Sequence, residues 1–270
     1  MRKRRRDLLV PIDPEVKSQM LEAITRKDRE HHRRNAEEYD RAVVSRYAMY
    51  HQWDLQPWVA DVAKRHNGGL ALDIGTGTGV VAGKLRECGF RVFAVDHSPE
   101  MLAIGRRRSA VSGRPVFYMR ADVMHLPFGD NCFDVVTMQG ILHHVPIARE
   151  DVVTEACRVL RPGGEFYISE PCADLSLVGR VLRFRWWFRE YDPSGEQTDE
   201  EPIVWTELRA ALGRADLKYN ARFITHVPSA NFHHWLPDRW RLRLTRVLSW
   251  PARRGDLVFV SGWKTMCGPK

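Results

Sequence analysis

No apolar run in the 270-residue chain approaches the roughly 18–20 residues needed to cross a bilayer, so a spanning helix is excluded. Cysteine is scarce and scattered. Cys88, Cys132, Cys157, Cys172 and Cys267 include no Cys-x-x-Cys and no Cys/His pair at zinc spacing. An odd, dispersed set fits free buried thiols in a reducing cytosol and argues against a disulfide framework. A cytoplasmic location is therefore expected, and a metal centre is not. After Met1-Arg-Lys-Arg-Arg-Arg6 only Leu8, Leu9 and Val10 precede Pro11, too little apolar length for a secretory leader, so export is not expected. Internal repeats are also missing. What remains is ordinary for a globular chain: 44% hydrophobic and 28% charged residues, enough to bury a sizeable core. The 42 Lys+Arg against 34 Asp+Glu leave a formal charge of +8, which permits an anionic partner without selecting one.

The chain divides into a basic, polar lead over 1–28, expected to be loosely held, and a His-, Arg-, Tyr- and Trp-rich stretch over 29–66 that reads as one or two helices. Residues 67–270 follow, with an insertion at about 173–254. Short apolar runs at 69–74, 90–95, 115–120, 133–138 and 165–169 alternate with helical stretches. Gly89 can end the helix begun at Val80, and Ser98-Pro99 can start the next as N-cap and first helical residue. Val152, Val153, Ala156, Cys157 and Leu160 share one face of a helix that Pro162-Gly163-Gly164 ends. Five βα units in succession imply a doubly wound α/β sheet with helices on both faces, whose ligand lies outside the carboxyl ends of the strands.

The richest stretch is Ala71-Leu-Asp-Ile-Gly-Thr-Gly-Thr-Gly79. Its glycines allow a sharp turn and close approach of the backbone to a ligand. A dinucleotide fingerprint places its third glycine one residue later, where this chain has Val80. Asp73, at the end of the strand, would repel a pyrophosphate and suits a ligand carrying an ammonium group.

Four ordered motifs carry a family resemblance: Leu72-Asp-Ile-Gly-Thr-Gly-Thr-Gly79, Val95-Asp-His-Ser-Pro-Glu-Met-Leu102, Ala121-Asp-Val-Met-His-Leu-Pro-Phe128 and Arg158-Val-Leu-Arg-Pro-Gly-Gly164. In order and spacing they resemble class I S-adenosylmethionine-dependent methyltransferases, in particular the ubiquinone/menaquinone-biosynthesis group. The resemblance implies a mostly parallel, seven-stranded Rossmann-like sheet with an antiparallel last strand. Lys218–His226 and Leu257–Lys264 would be its last two strands, after a helix beginning near Trp205. Its implied cofactor is S-adenosyl-L-methionine, held by Asp73, Gly75, Thr76, Gly77 and Gly79. Asp96 is placed to accept from both ribose hydroxyls, and Asp122 and the Val123 N–H to read the adenine edge. His97 and Met101 would flank the adenine, Gln139 and Gly140 the methionine portion, and Tyr39 would close over its carboxylate. Taken singly, Asp96 or Asp122 also reads as a helix cap or surface carboxylate.

Methyl transfer needs a base only where the acceptor loses a proton. His143 and His144, in Gly140-Ile-Leu-His-His-Val145, are the candidates, with a structural role for either left open; Glu170 is another. Cys172 reads as a buried thiol, and Tyr47, Tyr50 and Trp53 as helix-packing aromatics. Residues 175–189 and 240–250 interleave Trp, Phe and aliphatic residues with arginine. Such helices can lie on an anionic membrane, cover a lipophilic acceptor, or pack on the sheet edge. The function expected is methyl transfer to a small lipophilic or glycosidic metabolite, with peripheral membrane contact open and a nucleic acid disfavoured. An RNA- or protein-modifying methyltransferase is the alternative, and a non-catalytic adenosyl-ligand binder a third reading.

Overall fold

The computed structural model describes residues 13–50, 55–113, 115–172, 201–224 and 257–266, and only the backbone over 42–50 and at 224. Seven strands form one sheet: β1 (Leu70–Ile74), β2 (Arg91–Asp96), β3 (Phe117–Arg120), β4 (Phe133–Gln139), β5 (Leu160–Pro171), β6 (Leu217–Ile224) and β7 (Leu257–Lys264). Their order is β3-β2-β1-β4-β5-β7-β6. β1 to β5 pair in parallel, while β7 lies antiparallel between β5 and β6, as expected of the last strand. The apolar run Leu257-Val-Phe-Val260 is buried throughout, which suits a strand paired on both edges.

Six helices accompany the described strands: α1 (Pro14–Tyr50), α2 (Gln56–His66), α3 (Val80–Glu87), α4 (Pro99–Ser112), α5 (Arg149–Val159) and α6 (Trp205–Arg214). The start of α4 follows the local chemistry read from the sequence. Ser98 Oγ accepts from the Met101 N–H at 3.3 Å, Pro99 is the first helical residue, and Gly113 ends the helix at φ +65°. Along β1 the alternation sorts the two cores. Leu72 and Ile74 join a cluster with Val152, Val153, Leu208 and Leu212, whereas Ala71 joins Val59, Val62, Val81 and Leu85.

Two expectations change. The lead was expected to be loosely held as far as residue 28, yet α1 begins at Pro14 and runs without a break across that boundary. A helix of this length is held by tertiary ties, which the lead supplies through Lys17 and Asp28. Strand β5 begins at Leu160 rather than Glu165: Leu160 pairs with Phe133, and the register shifts before Glu165 pairs with Val135. Pro162-Gly163-Gly164 therefore forms an irregularity inside the strand, with Gly163 at φ +75°. Tyr47, Tyr50, Trp53, residues 1–12, the arginine-rich segments 175–189 and 240–250, and the end of the expected strand at 225–226 lie outside the described side chains or residues. No described helix is long and apolar enough to cross a membrane.

Strand order reverses between β1 and β4, which opens a crevice at their carboxyl ends. Helix α1 lies across it. Lys17 pairs with Asp151 of α5 at 2.6 Å, Asp40 pairs with Arg108 of α4 at 2.6 Å, and Glu37 pairs with Arg107. The covering helix is thus tied near its first turn to α5 and over residues 37–40 to α4.

Candidate functional site

The three loop glycines serve two different ends. All have positive φ: Gly75 +66°, Gly77 +51° and Gly79 +78°. A Cβ on Gly75 would lie 2.7 Å from Ile141 Cδ1, and one on Gly79 would lie 2.2 Å from the Tyr118 hydroxyl. A Cβ on Gly77 meets no protein atom within 4 Å. Gly75 and Gly79 therefore let the loop pack on the protein, while Gly77 leaves open space on the cavity side.

Beneath the loop, Asp73 is buried and accepts from Thr76 Oγ1 at 2.6 Å and Thr137 Oγ1 at 2.7 Å. Burial pushes its carboxyl up to about 6, although both hydroxyls oppose the rise. Its first task is to anchor the loop from below. Asp96, at the end of β2, accepts from the Gly77 N–H at 2.8 Å and the Ser98 N–H at 2.9 Å. Each oxygen keeps a second lone pair, so the carboxylate is oriented and still able to accept from a diol. These features fit a ribose seated beside Gly77. Asp122 is more committed to its own turn, accepting from the Met124 N–H at 2.9 Å and facing His125 Nδ1 at 3.0 Å.

These groups line a cavity of about 1300 Å³ between the sheet end and α1. Tyr39, Asp73, Gly75, Thr76, Gly77, Asp96, His97, Met101, Asp122, Val123, Gln139 and Gly140 all border it; Gly79 does not, because it packs under Tyr118. Met101 is almost fully buried with Ala36 and Ile104. Tyr39 stands edge-on to His32, with ring centroids 5.4 Å apart.

The two candidate bases part company. His143 does not border the cavity; its Nδ1 lies 2.8 Å from Glu170 Oε2, and both residues are buried. Glu170 Oε1 also accepts from the Ile141 and Leu142 N–H groups, each at 2.8 Å. This pair holds the turn Leu142–His144, and a base role for His143 is not supported by its direction. His144 does border the cavity.

Sequence reasoning missed Asp28. Its Oδ1 lies 3.2 Å from His144 Nδ1 and 3.5 Å from His32 Nε2, while Oδ2 lies 3.0 Å from His97 Nε2. The i,i+4 spacing of Asp28 and His32 was a legible helix signal, but the distant histidines carried no linear sign. Burial would raise the Asp28 carboxyl, yet the charge of His144 and hydrogen bonds from His144 and His97 outweigh it and hold it well below the usual carboxylate range. Among the described residues, no group of His, Cys, Asp and Glu has the geometry to hold a metal ion.

This cluster makes stability depend on pH in two directions. Burial would lower the His97 imidazole, but the Asp28 hydrogen bond and the Asp96 and Asp28 charges hold it above the ordinary value. Its contribution is complete below the unfolded pKa of about 6.5 and is lost as pH rises through the folded one. His32 is pushed down to about 4, chiefly by burial. Its contribution is present above about 6.5 and is lost as pH falls towards the folded value. His97→Gln is therefore expected to flatten the fall in melting temperature above about pH 6.5. Parallel wild-type and His97→Gln curves between about pH 6.5 and 8.5 would show that the His97–Asp28 contact does not stabilise the fold.

Residues 72–168 match the model of a methyltransferase domain. A demethylmenaquinone methyltransferase of Thermus thermophilus is 39% identical over 117 residues, 41% of this chain and 52% of that protein. A ubiquinone/menaquinone biosynthesis C-methyltransferase of Nitrobacter hamburgensis is 29% identical over 202 residues, 72% of each chain. The chain spans about half the length of the first curated relatives it matches. An S-adenosylmethionine-dependent methyltransferase structure from Thermotoga maritima superposes with a TM-score of 0.59 at 19% identity, covering 88% of this chain and 99% of that one. At that identity the likeness concerns the fold.

Proposed function

We propose that this chain, whose central residues form a class I S-adenosylmethionine-dependent methyltransferase domain, transfers a methyl group to a small lipophilic acceptor of the hydroquinone class. The observation that carries the methyl-transfer reading is the meeting of Gly77 and Asp96. A backbone N–H holds the β2 carboxylate beside a space that only a glycine leaves open. When bound there, S-adenosylmethionine supplies a methyl group on a sulfonium, already activated towards a nucleophile.

The chain's own residues orient and enclose. Asp96 receives the ribose hydroxyls, His97 and Met101 border the adenine, and Asp122 with Val123 lies along its edge. Gln139, Gly140 and Tyr39 border the methionine end. The covering helix α1 excludes water from the reacting atoms, which strengthens every polar contact inside. Leu21, Ile24, Met124, Ile141, Val145 and Leu257 give the cavity an apolar wall suited to a ring, beside charged lining residues such as Lys17, Arg26, Arg29 and Glu155. The names of the quinone methyltransferase relatives support the same acceptor class. An isoprenoid-tailed hydroquinone resides in lipid, so peripheral membrane contact belongs to this reading.

Asp96→Ala is expected to weaken S-adenosylmethionine binding by ~1.5–3 kcal/mol, about 10- to 150-fold, as for a charged hydrogen-bonded group. Unchanged affinity in calorimetry would remove Asp96 from the site. For the acceptor, labelled methyl should enter a detergent-solubilised hydroquinone with mild salt dependence. Incorporation into RNA that falls steeply with salt would favour the alternative, because each neutralised phosphate releases counterions.

A further inference from the structure

We propose that Asp28 and His144 form the proton-accepting pair of this site, Asp28 holding the ring and His144 taking the proton that a hydroxyl acceptor loses on methylation. The inference rests on the methyl-transfer reading above and adds the residues that activate the acceptor.

The geometry separates a base from its supports. Of the two adjacent histidines, His143 is turned inward to Glu170 and His144 borders the cavity. The turn carrying His144 is fixed from behind by the two N–H bonds to Glu170 and by the Ala148 N–H to Val145 carbonyl bond at 2.9 Å. From the front, Asp28 Oδ1 stands 3.2 Å from His144 Nδ1. A carboxylate there takes the Nδ1–H and sets the tautomer in which Nε2 carries the lone pair. It also stabilises the imidazolium that forms, the arrangement general to carboxylate-oriented histidine bases.

The groups around His144 come from helix α1, strands β2 and β5, the β2–α4 loop and the turn itself. Helix α1 contributes Asp28 and His32, the loop contributes His97 with Asp96 of β2 beside it, and the turn contributes His143, which is held by Glu170 of β5. Hydrogen bonds from His144 and His97, and the His144 charge once that ring is protonated, hold the Asp28 carboxyl below the usual range despite its burial. Asp28 also spans the two substrates' sides, since its other oxygen meets His97 beside the adenosyl end. The base is therefore aligned only when α1 is seated.

The step balances. The acceptor O–H proton passes to His144 Nε2. The oxygen, or the ring carbon conjugated to it, bonds to the methyl carbon as the carbon–sulfur bond breaks and its electron pair stays on sulfur. With carbon as nucleophile, the ring hydrogen then leaves as a proton and the oxygen is reprotonated.

The test uses the full chain, S-adenosylmethionine and a short-tailed hydroquinone in detergent. Asp28→Asn should lower kcat about 30-fold or more, with less than about a threefold change in S-adenosylmethionine affinity. Asp28→Glu should restore part of the rate, and imidazole should restore part of it in His144→Ala. Nitrogen-15 spectra of the histidine rings should place the His144 proton on Nδ1 in the wild type and move it to Nε2 in Asp28→Asn. A wild-type ring already protonated at Nε2 would overturn the pair, as would an unchanged kcat. So would a rate loss in Asp28→Asn matched by lost cofactor affinity, which would make Asp28 a latch. The spectra need no acceptor, so a chain that binds cofactor, shows the Nδ1 tautomer and methylates no hydroquinone would overturn the acceptor proposed above instead.

Discussion

Gly77→Val is expected to raise the S-adenosylmethionine dissociation constant by at least about 100-fold, close to 2.7 kcal/mol, effectively abolishing binding at working concentrations. The new side chain would project into the cavity, where no protein atom lies within 4 Å, and would occupy space the ligand needs. The backbone at φ +51° also disfavours a β-branched residue, costing roughly 1–2 kcal/mol of stability. The two effects are separable by calorimetry and thermal unfolding. Gly75→Val provides the contrast, since its Cβ would collide with Ile141 and the loss should fall first on the fold. A Gly77→Val chain that binds cofactor with wild-type affinity would show that the loop does not seat the ligand.

Glu170→Ala should destabilise the protein by roughly 3–5 kcal/mol, the range for breaking a buried hydrogen-bonded pair. The substitution strands three donors at once: the N–H groups of Ile141 and Leu142 and the ring of His143. Leu142 is fully buried and His143 nearly so, while Ile141 and Glu170 border the cavity, so the cost falls chiefly on the Leu142 N–H and the His143 ring. Glu170→Gln should cost far less, about 1 kcal/mol, since an amide oxygen still accepts from both backbone groups and the amide can donate to a re-tautomerised His143. Chemical denaturation of the three proteins checks the ranking. Equal losses for Ala and Gln would show that the charge, rather than the two backbone bonds, holds the turn.

Local rules made most of the sheet legible. The runs at 69–74, 90–95 and 133–138 become β1, β2 and β4 with shifts of one residue at their ends, because each is apolar enough to be buried on both faces. Ser98 and Pro99 are adjacent in sequence, so the start of α4 needed no tertiary knowledge. The β5 bulge was not legible, because Pro162-Gly163-Gly164 reads as a helix stop and only the pairing of Leu160 with Phe133 draws it into the strand. Helix α1 was read short at its start because its first turns have little apolar periodicity. Their reason to be helical lies in Lys17 meeting Asp151 and Asp28 meeting two distant histidines.

By itself, the sequence determined the sheet class, the glycine loop and the carboxylates that end β1 and β2, since each depends on spacing within one βα unit. The tertiary structure alone decided which of the three glycines has open space before it, which of two adjacent histidines borders the cavity, and that Asp28 meets three histidines there. Neighbouring residues share every linear signal, so their roles diverge only where folding points one side chain at buried Glu170 and the other at a carboxylate on a helix more than a hundred residues earlier.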